Sequence, residues 1–291
     1  MKFWFKIFFM RYFEAIGLAL CLYELLCIFK DPNQISNSFK LIVFGIIPIL
    51  ISISDILRRL FHSIYPIKDT DSKISLSFGN ILKKKGIVVI HVNREFDTII
   101  GNGVILPTSL HGEFINKFYK NDIGTLDALI DNQLQGIPSE ERTEKQKGKR
   151  KTYPLGTCVK IERKGRTYIL AALTRFDDNC HAEPIDKFIR NEFLSKVWEW
   201  IRVNVEPGDI HFPLIGTGCS RMTGTTLEKY RAIVDSGLAA ISQSKLYQSF
   251  DITLLANLFQ EYEDFNEYIR FRAEYKEMSN PDQVNLGTGM N

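Results

Sequence analysis

Hydrophobic and polar positions divide the chain into two unlike parts. From Tyr12 to Phe29 the run YFEAIGLALCLYELLCIF is apolar apart from Glu14 and Glu24, and the preceding FWFKIFF extends it into an aromatic collar. From Phe39 to Leu57, FKLIVFGIIPILISISDIL carries charge only at Lys40 and Asp55, near its ends. At about 1.5 Å per residue, each run covers roughly 27–30 Å, the thickness of a bilayer core. The pattern predicts two transmembrane helices, about 12–29 and 39–57, within residues 1–60. A cleaved signal peptide fits less well, because the first run is long, lacks a small-residue cleavage pattern and is followed by a second. The other alternative is a buried helical pair in a soluble protein.

Lys2, Lys6 and Arg11 precede the first run and Arg58, Arg59 and Lys68 follow the second, whereas only Lys30 and Lys40 flank the connection. By the positive-inside rule both termini then face the cytoplasm, as in a multi-pass membrane protein. Glu14 is expected to reach the interface and Glu24 to face a partner helix, since a carboxylate is costly in lipid. Ala15 with Ala19 and Gly17 with Cys21 place small residues four apart, which permits close helix approach. Pro48 lacks an amide donor and is expected to kink the second helix, with Ser52 or water meeting the exposed carbonyls.

Residues 61–72 mix proline, aspartate, serine and lysine without a long apolar period and are expected to form a linker. Beyond it, short β-branched runs predict strands at 74–78, 87–92, 158–161, 168–173, 209–214 and 251–255. Helical spacing is expected at 113–119, 126–134, 185–203, 225–245 and 259–277. Strands alternating with helices indicate an α/β layered fold. Ser139 to Thr152, SEERTEKQKGKRKT, has no aliphatic residue and is expected to be a mobile, solvent-exposed loop, with steering of anionic lipid or ligand as a lesser role.

Composition narrows the partners. The net charge of +3 and 24% charged residues are those of an ordinary globular protein, which argues against nucleic acid as a partner. The five cysteines have no metal-ligand spacing, so no metal site and no bound cofactor are expected.

Polar residues with chemistry collect at strand ends. In FPLIGTGCSRMTG an apolar run leads into Gly216-Thr217-Gly218 ahead of a predicted helix. Glycines admit backbone conformations in which successive N–H groups point at phosphate oxygens, and Thr217, Cys219, Ser220 and Arg221 continue the same loop. After GIVVIHVN come Asn93-Arg94-Glu95-Phe96-Asp97-Thr98, then Gly101-Asn102-Gly103, then Ser109-Leu110-His111-Gly112-Glu113. Polar groups at the exit of a buried parallel strand are where open α/β sheets bind ligands. Asp97 suits a ribose hydroxyl, Phe96 a base, and the backbone at Gly103 a pyrophosphate. Each has a plain alternative: Asp97 as a turn or cap residue, His111 as a hydrogen-bonded residue of the helix start, Phe96 as core.

Together these clusters resemble a macro domain, the module that binds ADP-ribose and related nucleotides. Gly79-Asn80-Ile81 stands where that family usually has Gly-Asp-Ile, Val88 to Asn93 matches its buried strand ending in asparagine, and Pro213 to Gly218 its second phosphate loop. A closer resemblance is to the transmembrane-macro effectors of bacterial Thoeris anti-phage defence. It is carried by Phe96-Asp97-Thr98, Ser109-Leu110-His111-Gly112, Tyr153-Pro154-Leu155-Gly156-Thr157, Ala172-Leu173-Thr174 and Pro213-Leu214-Ile215-Gly216-Thr217-Gly218.

The resemblance implies an N-terminal two-helix transmembrane hairpin followed by a macro domain, a mixed sheet sandwiched between helices, over residues 73–278, with a C-terminal tail at 279–291. It implies a TIR-domain enzyme that makes an ADP-ribose-derived signal, histidine-ADP-ribose by preference, without a required stable contact. Binding of that signal, in a homo-oligomer formed on activation, would disrupt the host membrane. Carried over residue by residue, Asn80 lies near the adenine, where it replaces an aspartate and leaves adenine preference open. Asn93, Asp97, Thr98 and Gly101 to Gly103 border the distal ribose and diphosphate, Gly216 to Gly218 wrap the phosphates, Leu173 and Thr174 line the cleft, and His111 or Glu113 meets the amino acid. Two rivals stand beside a non-enzymatic receptor. One is an ADP-ribosyl hydrolase or deacetylase using Asp97 and His111 as base and orienter, although the asparagine-rich loop of hydrolytic macro domains is replaced by Arg94-Glu95-Phe96. The other is a membrane scaffold whose macro domain no longer binds.

Overall fold

A computed structural model describes residues 2–29, 31–177, 181–216, 221–243 and 247–274. It separates into one unit ending at Ser63 and another beginning at Ile64.

In the first unit, α1 (Lys2–Phe29) is unbroken by proline, and α2 (Asn37–Leu41) starts at Ser36, whose hydroxyl accepts from the Phe39 amide. A single π-helical stretch, Ile42–Ile46, joins α2 to α3 (Ile47–Phe61). Where a kink was expected at Pro48, the helix carries this widened turn just ahead of it, which accommodates the missing donor. Ser52 Oγ donates to the Pro48 carbonyl at 2.7 Å, so the hydroxyl is satisfied within its own helix. α1 packs along α3, with Tyr23 edge-on to Phe44 at 5.3 Å between ring centroids.

Arg11–Phe29 and Asn37–Ser54 are long and apolar enough to cross a membrane, and only 6% and 11% of these windows are buried. Leu18, Leu22, Leu25, Ile28 and Leu50 all face outward. A helical pair from a soluble core would bury such residues, and a contiguous exposed apolar surface of this kind marks a membrane or protein contact. Glu14 accepts from Arg11 Nη1 at 2.6 Å one turn away, while Glu24 is exposed.

The second unit is built on a seven-stranded mixed sheet. Its strands are β1 (His62–Pro66), β2 (Lys73–Phe78), β3 (Ile87–Asn93), β6 (Cys158–Arg163), β7 (Arg166–Thr174), β8 (Gly208–Pro213) and β9 (Tyr247–Leu254); β4 (Glu140–Glu141) and β5 (Lys151–Thr152) form a separate two-stranded ribbon. The spatial order is β1-β2-β9-β8-β3-β7-β6. β2, β9, β8, β3 and β7 run parallel, and β6 is antiparallel to β7. The predicted strands coincide with β2, β3, β6, β7, β8 and β9 to within a few residues.

Helices cover both faces. Val88, Ile90 and Val92 of β3 pack under α4 (Leu110–Phe118) and α5 (Ile123–Gln133) with Phe114, Ile115, Leu126, Ile130 and Tyr168. Val88 is in register with His211, so Phe212 turns to the opposite face, where it stacks on Trp198 of α6 (Lys187–Asn204) at 5.3 Å. α7 (Thr226–Gln243) lies beside α6, and α8 (Tyr262–Glu274) packs on α7 through Phe265 and Tyr230. The layers are those expected, a mixed sheet sandwiched between helices.

Two expectations are corrected. The proposed linker 61–72 contains β1, an edge strand whose Tyr65 hydroxyl donates to Asn266 Oδ1 at 2.6 Å, with Ile67 buried behind it. Proline is tolerated at the end of an edge strand because no ladder partner is lost. Residues 139–152 are anchored rather than loose: β4 pairs with β5, and Lys145 is 1% exposed. An ammonium enters the interior there because buried carboxylates receive it.

Candidate functional site

The C-terminal ends of β3, β7 and β8 lie side by side in the sheet, and the loops leaving them form the site. β3 and β7 lose register between Val92 and Asn93, where Leu173 is the extra residue. This bulge turns the strand ends and brings the Arg94 amide to the Thr174 carbonyl at 2.8 Å. Leu173 and Thr174 are both buried there.

Asn93 organises the first loop. Its Oδ1 accepts from the Asp97 amide at 3.2 Å, and its Nδ2 donates to Glu95 Oε2 at 2.9 Å and Asp97 Oδ2 at 2.7 Å. Phe96 takes a left-handed backbone, φ 51°, and turns its ring inward edge-on to Tyr153 at 5.8 Å. Glu95 and Asp97 are completely buried. Lys145 Nζ reaches Asp97 Oδ2 at 2.7 Å and Glu95 Oε2 at 3.9 Å, and the Lys149 amide donates to Asp97 Oδ1. Glu95 Oε1 accepts from Thr152 at 2.9 Å and lies 3.6 Å from Arg142 Nη1. Asp97 thus has protein donors on both oxygens, and Thr98 donates to Asp127 of α5 at 2.9 Å.

Beyond Thr98 the chain makes a tight turn in which Gly101, Asn102 and Gly103 all have positive φ, at 81°, 51° and 80°. The Gly101 amide bonds to Ile105 and that of Val104 to Gly101. The Asn102 and Gly103 N–H groups donate to no protein acceptor among the described residues. Ser109 caps α4, accepting from the Gly112 amide at 3.0 Å and donating to the Leu106 carbonyl at 2.8 Å. A Cβ on Gly112 would collide with the Leu106 carbonyl oxygen, so glycine is needed for α4 to lie on this loop.

His111 is 6% exposed, and its Nε2 is buried without a hydrogen-bond partner. Burial, then His91, then Lys149, hold its pKa down to about 3, so the ring is neutral at pH 7. Burial alone lowers His91 to about 4. No hydrogen bond joins His111 to Asp97 among the described residues. Asn80 is exposed, and its Oδ1 accepts from the Leu82 amide at 2.9 Å in the turn after β2.

On the neighbouring strand, β8 leads through Leu214 and Ile215 to Gly216, φ 83°. A Cβ there would fall 2.6 Å from that of Met222, and Lys229 Nζ donates to the Gly216 carbonyl at 2.8 Å. Thr217, Gly218, Cys219 and Ser220 lie outside the described residues. Arg221 has φ 45°, and its carbonyl accepts from Ile185 at 3.3 Å. Thr225 and Glu228 then form a reciprocal cap on α7, with Thr225 N to Glu228 Oε2 at 2.6 Å and Glu228 N to Thr225 Oγ1 at 3.2 Å.

The structure therefore gathers Asn93, Phe96, Asp97 and Thr98 at the C-terminal end of β3 beside Leu173 and Thr174 at the end of β7, with Gly101 and Gly103 further along the loop that leaves β3 and Gly216 just beyond the adjacent β8. Sequence reasoning missed Glu95, Arg142, Lys145 and Lys149. A lysine in KQKGKRK looks the same whether solvated or buried; only the pair of acids at 95 and 97 hinted that a cation was needed.

With this geometry in place, the comparisons with known proteins are informative. The family described as "Thoeris protein ThsA, Macro domain" matches residues 74–254. Thoeris protein ThsA of Bacillus amyloliquefaciens (strain Y2) is 27% identical over 200 residues, 66% of this chain and 65% of that protein. The chain thus matches just under two thirds of its relative's length. The Oceanobacillus iheyensis macrodomain with ADP superposes with a TM-score of 0.51 at 15% identity, covering 73% of this chain and 97% of that one. A point mutant of the same macrodomain with ADPR gives a TM-score of 0.52 at 15% identity, covering 74% and 100%. At such identity the two structures speak for the fold alone.

Proposed function

The chain belongs to the Thoeris protein ThsA macro-domain family, and from that premise we propose that it is a membrane-anchored receptor for an ADP-ribose-derived nucleotide in bacterial antiviral defence. The observation that carries the binding proposal is the 101–103 turn in the loop that leaves β3, where the Asn102 and Gly103 N–H groups donate to no protein acceptor among the described residues. Such a turn suits phosphate oxygens, because a side chain cannot approach as closely as backbone does. Relatives of the same fold were solved with ADP and with ADPR.

In this reading residues 1–60 anchor the protein in the inner membrane as a hairpin, both termini cytoplasmic, and the macro domain extends over 73–278. Asn93, Thr98, Gly101, Gly103, Leu173, Thr174 and Gly216 to Arg221 border the ligand. Asn80 lies towards the base. His111, neutral and with an unpartnered nitrogen, is suited to the amino-acid portion of histidine-ADP-ribose made by a TIR-domain enzyme. Asp97 acts by holding the loop rather than by touching sugar, because both its oxygens are occupied by protein donors. The ligand promotes a homo-oligomer that disrupts the membrane, which requires that it bind the assembled state more tightly than the free one. A receptor is preferred to a hydrolase because Arg94-Glu95-Phe96 stand where hydrolytic macro domains carry an asparagine-rich loop.

The test is calorimetric titration of the full-length protein in lipid nanodiscs with ADP-ribose and with histidine-ADP-ribose, followed by analysis of the recovered ligand. Binding of an intact ligand supports the receptor. Cleavage establishes an enzyme instead, and silence with both ligands removes the proposal.

A further inference from the structure

Two buried cations beside the glycine end of β8 have no counter-charge. Arg190 is the fourth residue of α6 and Lys229 the fourth of α7, and each is only 8% exposed. α6 follows β7 and α7 follows β8, so both first turns lie at the C-terminal ends of those strands. The approaches to the two helices are tied together: the Ile185 amide donates to the Arg221 carbonyl at 3.3 Å, and the Thr223 amide to the Ile185 carbonyl at 2.9 Å. Lys229 Nζ reaches the Gly216 carbonyl at 2.8 Å. Arg190 Nε donates to Asn191 Oδ1 at 3.2 Å, and its terminal nitrogens donate to no protein acceptor among the described residues.

Neither cation forms an ion pair among the described residues. The acids on the same turns are engaged elsewhere. Asp186 accepts from the Phe188 and Ile189 amides at the start of α6, and Glu228 accepts from the Thr225 amide and hydroxyl at the start of α7. Burial first, and then Arg190, hold the Lys229 pKa below the usual lysine value, and Glu228 offsets only part of this, so the two cations are close enough to repel. Arginine and lysine are almost never so buried without a partner, because a charge leaves water at high cost. The first turn of a helix carries the positive end of its dipole, which disfavours a cation further and favours an anion. Two such cations at adjoining helix starts suit an arriving anion better than they suit the empty fold.

We propose that Arg190 and Lys229 form a phosphate-binding site at the glycine end of β8, the guanidinium and the ammonium together holding one phosphate group of the nucleotide. That the phosphate belongs to a nucleotide rests on the proposed receptor function; the anion site itself does not. The experiment follows the thermal midpoint of full-length protein in nanodiscs, with inorganic phosphate against chloride of equal ionic strength, and titrates the same samples with ADP-ribose. Wild type is compared with Arg190→Gln and Lys229→Met. Phosphate is expected to raise the wild-type midpoint and to raise that of either variant much less. Arg190→Gln is expected to bind ADP-ribose about tenfold more weakly, the equivalent of one charged hydrogen bond. In chloride, Arg190→Gln should melt no lower than wild type, because an unpaired buried charge has been removed. An equal phosphate response in wild type and both variants overturns the inference, and so does an Arg190→Gln midpoint well below wild type in chloride, which makes the arginine a structural residue. A phosphate response that wild type shows and Arg190→Gln lacks, without ADP-ribose binding by wild type, keeps the anion site and removes the nucleotide reading.

Discussion

Replacing Asp97 with alanine should unfold the site before it tests any ligand contact. Its carboxylate and the Lys145 ammonium are both fully buried and 2.7 Å apart. Removing one partner of such a pair strands the other charge, at a cost of about 3–5 kcal/mol. Glu95 Oε2, 3.9 Å from the same ammonium, remains to take part of the load, which places Asp97→Ala near the lower end of that range. The loss of acceptors for Asn93 Nδ2 and the Lys149 amide adds roughly 1 kcal/mol each. For a unit of roughly 150–250 residues, about 3–5 kcal/mol corresponds to a fall of roughly 6–20 °C in thermal midpoint. The decisive comparison is the double variant. Asp97→Ala with Lys145→Met removes both charges, so its destabilisation should be smaller than the sum of the singles by roughly 1–3 kcal/mol. Scanning fluorimetry and urea unfolding of the four proteins in one detergent give the cycle. A single-variant cost below about 1 kcal/mol, or strict additivity, would refute the buried-pair argument.

Gly216→Asp puts a Cβ 2.6 Å from Met222 on a φ of 83° and a carboxylate beside the phosphate loop; nucleotide affinity should drop at least about tenfold in titration, and wild-type affinity would remove Gly216 from the site. His111 and His91, with pKa values held at about 3 and about 4, bind fewer protons folded than unfolded. Stability is therefore complete above about pH 6.5 and is lost as pH falls, each histidine costing ~1.4 kcal/mol per unit until its folded pKa is reached. Urea midpoints at pH 7 and pH 5 measure this, and His111→Gln should make the fall shallower; an identical fall contradicts the assignment. Under the proposed function, Ile46→Lys on the exposed side of the π-helical stretch should lower dye release from vesicles while leaving nucleotide affinity intact. Joint loss of both would show that the two units are not separable.

Much of the fold was legible because periodicity reports burial directly. Ile87 to Ile90 form a continuous β-branched run that β3 buries on both faces, and Phe193, Val197 and Ile201 recur at helical spacing along α6, so their elements could be placed without coordinates. β1 escaped because an edge strand needs only one ladder and little apolar content: Ser63, Ile64, Tyr65 and Pro66 look like linker until β2 is beside them. The π-helical stretch before Pro48 was half visible. Proline announces a missing donor, but whether the helix bends or widens depends on packing that its own sequence does not record.

The site was legible where backbone conformation restricts residue type and illegible where charge decides. Gly101, Gly103 and Gly216 have positive φ, and Gly112 touches backbone, so each glycine is a direct mark of geometry. Asp97 is different. As a residue after a buried strand it suits a sugar hydroxyl, a cap or an ion pair equally well, and only the position of residue 145, some fifty residues later, separates these. Ser109 shows the same ambiguity: it belongs to the motif that carries the family resemblance, yet its hydroxyl caps α4. A motif can therefore mark a site by building its walls, and a buried lysine in a run of basic residues is the kind of wall that composition hides.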